Sequence, residues 1–168
     1  NFETRSRAQR CGRDGWGRDL GEELEVLRCL ERAADQQGEA IARRVLSEME
    51  GDLATEVFAR LPFELLCTAM AVEPTTDLAR TYLQLRRATS WEPAARRDGL
   101  DALDRLAAWA APLLEQRRSG DGDDLLSIVA RVGGSGADLA ITVLEMDHDT
   151  LHGVLANLWC RLLTEPEL

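Results

Sequence analysis

The chain contains no lysine, so all 20 of its basic residues are arginine. Schiff-base catalysis and a P-loop lysine are therefore excluded. Histidine occurs only twice, and aromatic residues make up 5% of the chain. The four cysteines form no C-x-x-C pair, and there is no signal peptide and no long uncharged apolar run. We therefore expect a cytoplasmic protein without a membrane-spanning segment.

The balance of charge also restricts the partners. Thirty acidic residues against 20 basic ones give a net charge of −10 and a pI near 4.7. A field of this sign repels phosphate backbones and anionic membrane surfaces. We expect neither nucleic acid nor a membrane as a partner.

The composition and the spacing of apolar residues predict an all-α fold, a helical bundle. Hydrophobic residues make up 45% of the chain, Ala, Leu, Glu and Arg are abundant, and no useful length alternates with period two. At 168 residues the chain suits one domain with a sizeable core. Residues 1–21, rich in Gly, Ser and Arg, are expected to form a flexible arm, and residues 22–168 a single helical domain.

Within that domain, breaks and caps divide the helical pattern. Gly38 is predicted to interrupt the first helical stretch, Pro62 to mark a kink or a fresh start, and Pro74 with Thr75 to open the next helix. Two long helices are predicted from Pro93 to Arg118 and from Ala137 to Thr164, with a short helix over Leu125–Val132 between them. The inward face of the first long helix is predicted to consist of Leu100, Leu103, Leu106, Trp109 and Leu113.

Three segments, in order, resemble the bacterial cytochrome P-450 (haem-thiolate monooxygenase) family. Residues 51–62, Gly-Asp-Leu-Ala-Thr-Glu-Val-Phe-Ala-Arg-Leu-Pro, with the apolar run to Val72, resemble a helix ending in Leu-Pro before a Gly-Val-Pro-like turn. Residues 115–127, Glu-Gln-Arg-Arg-Ser-Gly-Asp-Gly-Asp-Asp-Leu-Leu-Ser, resemble the stretch before the family's long central helix. Residues 146–150, Met-Asp-His-Asp-Thr, resemble that helix's (Ala/Gly)-Gly-x-(Asp/Glu)-Thr signature. The resemblance implies the middle helices of that fold.

The same comparison of motifs implies that haem is not bound. The family needs a cysteine thiolate in a glycine-rich loop and a Glu-x-x-Arg pair on a supporting helix. None of the four cysteines has the Phe-x-x-Gly-x-x-x-Cys context of that loop, and Glu25-Val-Leu-Arg28 stands at the wrong end of the chain. Asp149 and Thr150 match the family's acid–alcohol pair. Met146 and Asp147 replace the small residue and the glycine that let the central helix lie close over the porphyrin. We therefore expect no cofactor.

The candidate site lies on the predicted last helix. Asp147, His148, Asp149 and Thr150 would stand where the family has its substrate pocket, and a carboxylate walled by apolar side chains could donate a proton to an apolar metabolite. Glu145, His148 and His152 share one helical stripe, which leaves zinc binding as an alternative. A third interpretation is that these residues form a partly solvated polar face of the helix.

Two further strings have ordinary structural explanations. Asp121-Gly-Asp-Asp124 is similar to the acidic string of some terpene cyclases, but Asp123 or Asp124 is better explained as a helix N-cap. Gly133-Gly-Ser-Gly136 has no preceding strand and no following lysine, so we interpret it as a flexible connection and not as a phosphate loop.

Three functions remain open. The resemblance implies an auxiliary protein of bacterial natural-product biosynthesis, because some homologues without the cysteine bind and activate glycosyltransferases. The second is a haem-free acid–base enzyme, a cyclase, isomerase or dehydratase, that uses Asp147, His148 and Asp149. The third is a fragment of an ordinary haem monooxygenase. Leu158, Trp159 and Leu162 are predicted to form an apolar surface for a biosynthetic partner protein or for self-association.

Overall fold

The computed structural model describes residues 20–48 and 56–146. Over these residues the prediction of an all-α fold is confirmed, since they contain helices and no strand. None of the described helices is long and apolar enough to cross a membrane. The α-helices are α1 (Leu20–Ser47), α2 (Leu61–Ala69), α3 (Thr76–Leu85), α4 (Pro93–Arg117), α5 (Leu125–Arg131) and α6 (Gly136–Glu145).

The first helix is continuous, and the predicted break at Gly38 is wrong. Helix α1 runs for 28 residues, and Gly38 lies in its interior. A glycine costs a helix interior about 1 kcal/mol relative to alanine, but apolar side chains on both sides of it are buried. Val26, Cys29, Leu30 and Ala33 before it, and Ile41 and Val45 after it, pack into the core. This burial outweighs the local cost.

A short π-helix, Glu56–Arg60, leads directly into α2 at Leu61. Pro62 has no amide hydrogen and its ring crowds the carbonyl four residues earlier, which disfavours the regular α-helical hydrogen-bond pattern just before it. The pattern resumes in α2, where Pro62 occupies the first turn, the position that tolerates proline best. The prediction that Pro62 marks a fresh start is confirmed.

The turn between α2 and α3 ends one helix and caps the next. The amides of Ala71 and Val72 donate to the carbonyls of Thr68 and Cys67 at 3.0 Å each, which is the Schellman arrangement. Ala71 adopts φ 52°, a conformation that costs an alanine about 1 kcal/mol relative to glycine. The side chain of Thr75 then accepts from the amide of Leu78, which confirms the predicted start of α3.

Helix α4 is the centre of the bundle, because α3, α5 and α6 all pack against it. Leu100, Leu103 and Leu106 are buried as predicted. Beyond them Ala110 and Leu114 are fully buried, whereas Trp109 and Leu113, predicted for the same face, pack against the main cluster but are only partly buried. A step of three residues falls about 60° short of one full turn of an α-helix. Side chains spaced only by three residues therefore drift away from the face that points to the core.

The backbone of α4 approaches its neighbours closely at two glycines. A 3₁₀-helix, Arg86–Thr89, packs so tightly on α4 that a Cβ atom on Gly99 would lie 2.0 Å from the amide nitrogen of Ala88. A Cβ atom on Gly136, the first residue of α6, would lie 2.0 Å from the carbonyl oxygen of Ala107 in α4. Both helix contacts therefore require glycine.

The buried side chains form one main cluster and one smaller one. The main cluster draws on all six α-helices, and it includes a contact between the rings of Phe63 and Tyr82, whose centroids are 5.5 Å apart. The smaller cluster lies between the second half of α1 and the start of α2. It consists of Ile41, Val45 and Val57, with Leu61 and Leu65 packed against them.

Some of the predicted boundaries lie outside the described residues. Helix α1 begins at Leu20, two residues before the predicted domain start at residue 22. Almost all of the predicted flexible arm, residues 1–21, lies outside the described residues. The predicted last helix begins at Gly136, one residue before Ala137, and its extent beyond residue 146 lies outside them as well.

Replacing each of two helical glycines by alanine should have opposite effects. We expect Gly99→Ala to lower the free energy of unfolding by about 2–3 kcal/mol, because the methyl group collides with the backbone of Ala88. Gly38→Ala should raise it by about 0.5–1 kcal/mol, since its Cβ would lie 3.9 Å from the Cβ of Ala34, an ordinary contact. Urea unfolding of both variants measures the difference, and similar effects at the two sites would contradict the packing described here.

Candidate functional site

The residues predicted to carry chemistry lie outside the described part of the chain. This applies to Asp147, His148, Asp149 and Thr150, and also to His152 of the alternative zinc stripe. Glu145 is described, and it is an exposed residue at the end of α6. Among the described residues, no group of three or more His, Cys, Asp or Glu side chains could hold a metal ion. The geometry of the predicted site itself therefore remains a prediction.

Helix α6 leads directly to this site. It begins at a capping box, in which the hydroxyl of Ser135 accepts from the amide of Asp138 at 3.3 Å and the carboxylate of Asp138 accepts from the amide of Ser135 at 2.7 Å. Residues 139–144 are all buried. Such a helix is fixed at its start by local hydrogen bonds and along its length by packing.

Met146 is the last described residue before the candidate site. Its backbone is still helical, and its amide donates to the carbonyls of Thr142 and Val143. Its side chain is 6% exposed and belongs to the main cluster. The side chain of Met146 is therefore part of the protein core.

The second resembling segment, residues 115–127, is organised around Arg117. Its guanidinium pairs with the carboxylate of Asp124 and donates to the carbonyl of Met70 at 2.9 Å. Asp124 in turn accepts from the amide of Ser127 at 3.2 Å and from its hydroxyl at 2.6 Å. Arg117 thus joins the end of α4, the end of α2 and the start of α5.

These contacts decide the role of the acidic string. Asp124 is the N-cap of α5, which confirms the structural explanation. Asp123 is exposed, and its carbonyl oxygen accepts from Arg32 at 2.7 Å, while the carbonyl of Gly122 accepts from Arg131 at 2.7 Å. Arginines from α1, α4 and α5 therefore hold this turn in place, and its role is structural.

The glycine string 133–136, which the sequence predicts to be a flexible connection, forms a hydrogen-bonded turn in the structure. The amides of Gly133 and Gly134 donate to the carbonyls of Ala130 and Val129 at 3.0 and 2.8 Å, which forms a second Schellman arrangement. Gly133 has φ 72°, the conformation that glycine adopts at least cost. Gly136 fills the close contact with α4 described above.

A buried ion-pair network went unnoticed in the sequence. Glu64 is 6% exposed, and its carboxylate pairs with Arg44 of α1 and with the Nε of Arg60 at 2.8 Å. Arg60 also pairs with Glu48. The spacing of Arg60 and Glu64, four residues apart, was the one sequence signal for this contact. The network joins α1, the π-helix and α2, and it engages both carboxylate oxygens of Glu64.

The two described cysteines are buried thiols that resist ionisation. Burial, with smaller effects from the Glu64 and Glu73 carboxylates, raises the pKa of the Cys67 thiol from 9.0 to about 12. Burial also raises the pKa of Cys29, whose Sγ donates to the carbonyl of Ala69 at 3.4 Å. A reactive or metal-binding cysteine needs the thiolate, so neither Cys29 nor Cys67 is suited to that role.

Comparisons with family models, with curated proteins and with solved structures found no match to this chain. The resemblance to the cytochrome P-450 family consequently depends on the three sequence segments alone. Any function that this resemblance implies is a proposal.

The raised pKa of Cys67 predicts a loss of stability in alkaline solution. The folded state favours the neutral thiol, so its stabilising effect is complete below pH 9 and disappears as the pH rises towards about 12. Over this range, we expect the free energy of unfolding of the parent protein to fall by up to a few kcal/mol more than that of Cys67→Ala. Denaturant titrations of both proteins across the alkaline range provide the measurement. Parallel curves would contradict this account of Cys67.

Proposed function

We propose that this chain is a haem-free relative of the cytochrome P-450 family that binds and activates a biosynthetic enzyme, such as a glycosyltransferase, and performs no catalysis of its own. The three resembling segments support the relationship, and the kind of partner is the one that the resemblance implies. The observation that carries the haem-free part of the proposal is the burial of Met146. Its side chain occupies the place where the family's small residue makes room for the porphyrin.

The two described thiols support the same proposal. A haem-thiolate centre needs an ionised cysteine as the iron ligand. Burial raises the pKa of both Cys29 and Cys67, so each favours the neutral thiol. Cys11 and Cys160 lie outside the described residues, and their sequence contexts lack the Phe-x-x-Gly-x-x-x-Cys pattern of the family.

The buried polar side chains of the described residues have structural roles. Within the described residues the buried polar side chains are Glu64, Ser127 and Thr142. Glu64 pairs with two arginines, Ser127 donates to Asp124, and Thr142 donates to the carbonyl of Asp138 at 2.7 Å. Each of these buried groups is thus engaged in holding the fold together, and none of the three is a candidate for catalysis.

A titration with hemin tests the haem-free part. We expect no saturable one-to-one complex, and after reduction under carbon monoxide no absorption band of thiolate-ligated haem, because Met146 is buried in the core and the two described thiols, Cys29 and Cys67, favour the neutral form. Met146→Gly serves as the matched variant. It should open space in the core yet still give no thiolate band, since the buried thiols stay protonated. A stoichiometric complex of the parent protein with the thiolate band would refute the proposal.

An activity assay separates a partner protein from an enzyme. The enzymes encoded beside the gene for this chain are the ones to assay, each with and without the purified chain. We expect the turnover of one of them to rise when the chain is present, and Asp149→Asn to leave this increase unchanged. If the chain alone converts an apolar metabolite, and Asp149→Asn lowers that rate by about 10²–10⁴-fold, the acid–base enzyme is the correct function.

A further inference from the structure

An unusual surface feature lies just before the central helix. Trp91 is 98% exposed, so its indole contacts almost nothing in its own chain. Three other large apolar side chains of the described residues count as exposed, Leu27, Leu46 and Leu83, and each of them is at least 44% and at most 52% exposed. A fully exposed tryptophan is a candidate contact residue for a pocket or an apolar surface of a partner, because tryptophan is among the residues that contribute most to binding free energies.

The segment that carries Trp91 is held in place on both sides. Before it, the amide of Ser90 donates to the carbonyl of Arg87 at 2.9 Å, and after it the amide of Glu92 donates to the hydroxyl of Ser90 at 3.2 Å. The tight contact between Gly99 and Ala88 fastens the preceding 3₁₀-helix to α4. Trp91 is therefore presented on a rigid corner, which reduces the entropy lost on binding.

One row of exposed residues on α4 continues from this corner. The exposed charges beside the row, Asp98 and Arg105, contact Arg87 and Gln84 within the chain. Arg97 stands near the start of the row, Asp101 and Asp104 follow it, and then come the exposed apolar residues Ala108 and Ala111. These residues recur at three- and four-residue intervals, so they form one row along the helix. A row with a positive charge followed by negative ones is complementary to itself when a second copy runs in the opposite direction.

We propose that this face, Trp91 together with the row from Arg97 to Ala111, pairs with the same face of a second copy in an antiparallel, two-fold arrangement. In the matching register, Arg97 of one copy lies opposite Asp101 of the other, and the reverse pair forms at the same time. Along the helix axis, Trp91 lies roughly 12 Å before Arg97, because four residues in helical and two in extended conformation separate them. This distance brings its indole to Ala108 and Ala111 of the opposite copy, where small side chains leave room for a flat ring.

The proposed dimer is weak. A single helix face and one tryptophan per copy cover less than the roughly 800 Å² per partner that stable complexes bury. The net charge of −10 also opposes association, although at about 0.15 M salt charges separated by more than about 8 Å are largely screened. We therefore expect a dissociation constant of about 100 µM.

Sedimentation equilibrium of the full chain, from about 10 to about 500 µM in physiological salt, tests the proposal. The parent protein should show a monomer–dimer equilibrium, and Trp91→Ala should raise the dissociation constant at least about tenfold. Asp35→Arg, a charge reversal at an exposed position on α1, is the matched control and should leave the equilibrium unchanged.

Two charge reversals on α4 make the test specific for the register. Arg97→Asp and Asp101→Arg should each weaken self-association, because each places like charges opposite one another. Mixing the two variants should restore a heterodimer, since the carboxylates of R97D then face the arginines of D101R. Association that survives Trp91→Ala, or variants that fail to pair when mixed, would overturn the proposal.

If a membrane, and not a second copy of the chain, contacts Trp91, the experiments give a different result. If the parent protein stays monomeric, yet its tryptophan emission shifts to the blue with vesicles of phosphatidylglycerol and phosphatidylcholine and that of Trp91→Ala does not, a membrane is the occupant and the dimer is refuted. If it stays monomeric and the emission does not change, the dimer is refuted as well.

Discussion

The close approach of backbone to backbone along α4 is the constraint on which the bundle depends. At Gly99 the 3₁₀-helix meets α4, and at Gly136 the start of α6 meets it, in both cases at distances that leave no room for a Cβ atom. Close helix contacts bring many neighbouring side chains together, so the remaining elements can bury a nearly continuous core. Helix α4 therefore sets the position of α6, and with it the direction in which the chain enters the candidate site.

Arginine supplies the polar counterpart of this packing. Arg117 joins α4 to the end of α2 and to the start of α5, and Arg44 and Arg60 join α1 and the π-helix to the buried carboxylate of Glu64. The guanidinium group suits these joints because it is always charged and presents several donors in one plane. A chain without lysine thus uses its arginines as connectors between helices, and paired charges keep the cost of burying Glu64 acceptable.

The candidate site could be predicted only as a pattern of residue types. The spacing of Glu145, His148, Asp149 and His152 predicts one stripe of a helix, and the sequence shows no more than the residue types on that stripe. Met146 adds a physical constraint, because its flexible apolar side chain is buried in the core next to these residues in the sequence. Burial of this kind depends on the elements that surround residue 146, so the sequence showed that the residue was large but not where its side chain lies.

The sequence by itself determined the helical class and most helix boundaries. Caps such as Thr75 and Asp124 act on amides three residues away, and Pro62 acts within one turn, so their effects can be read locally. Only the tertiary structure decided that α1 passes through Gly38, that Ala110 is fully buried and Trp109 only partly, and that Glu64 is buried. Each of these outcomes depends on side chains from distant parts of the chain, whose packing outweighs local preference.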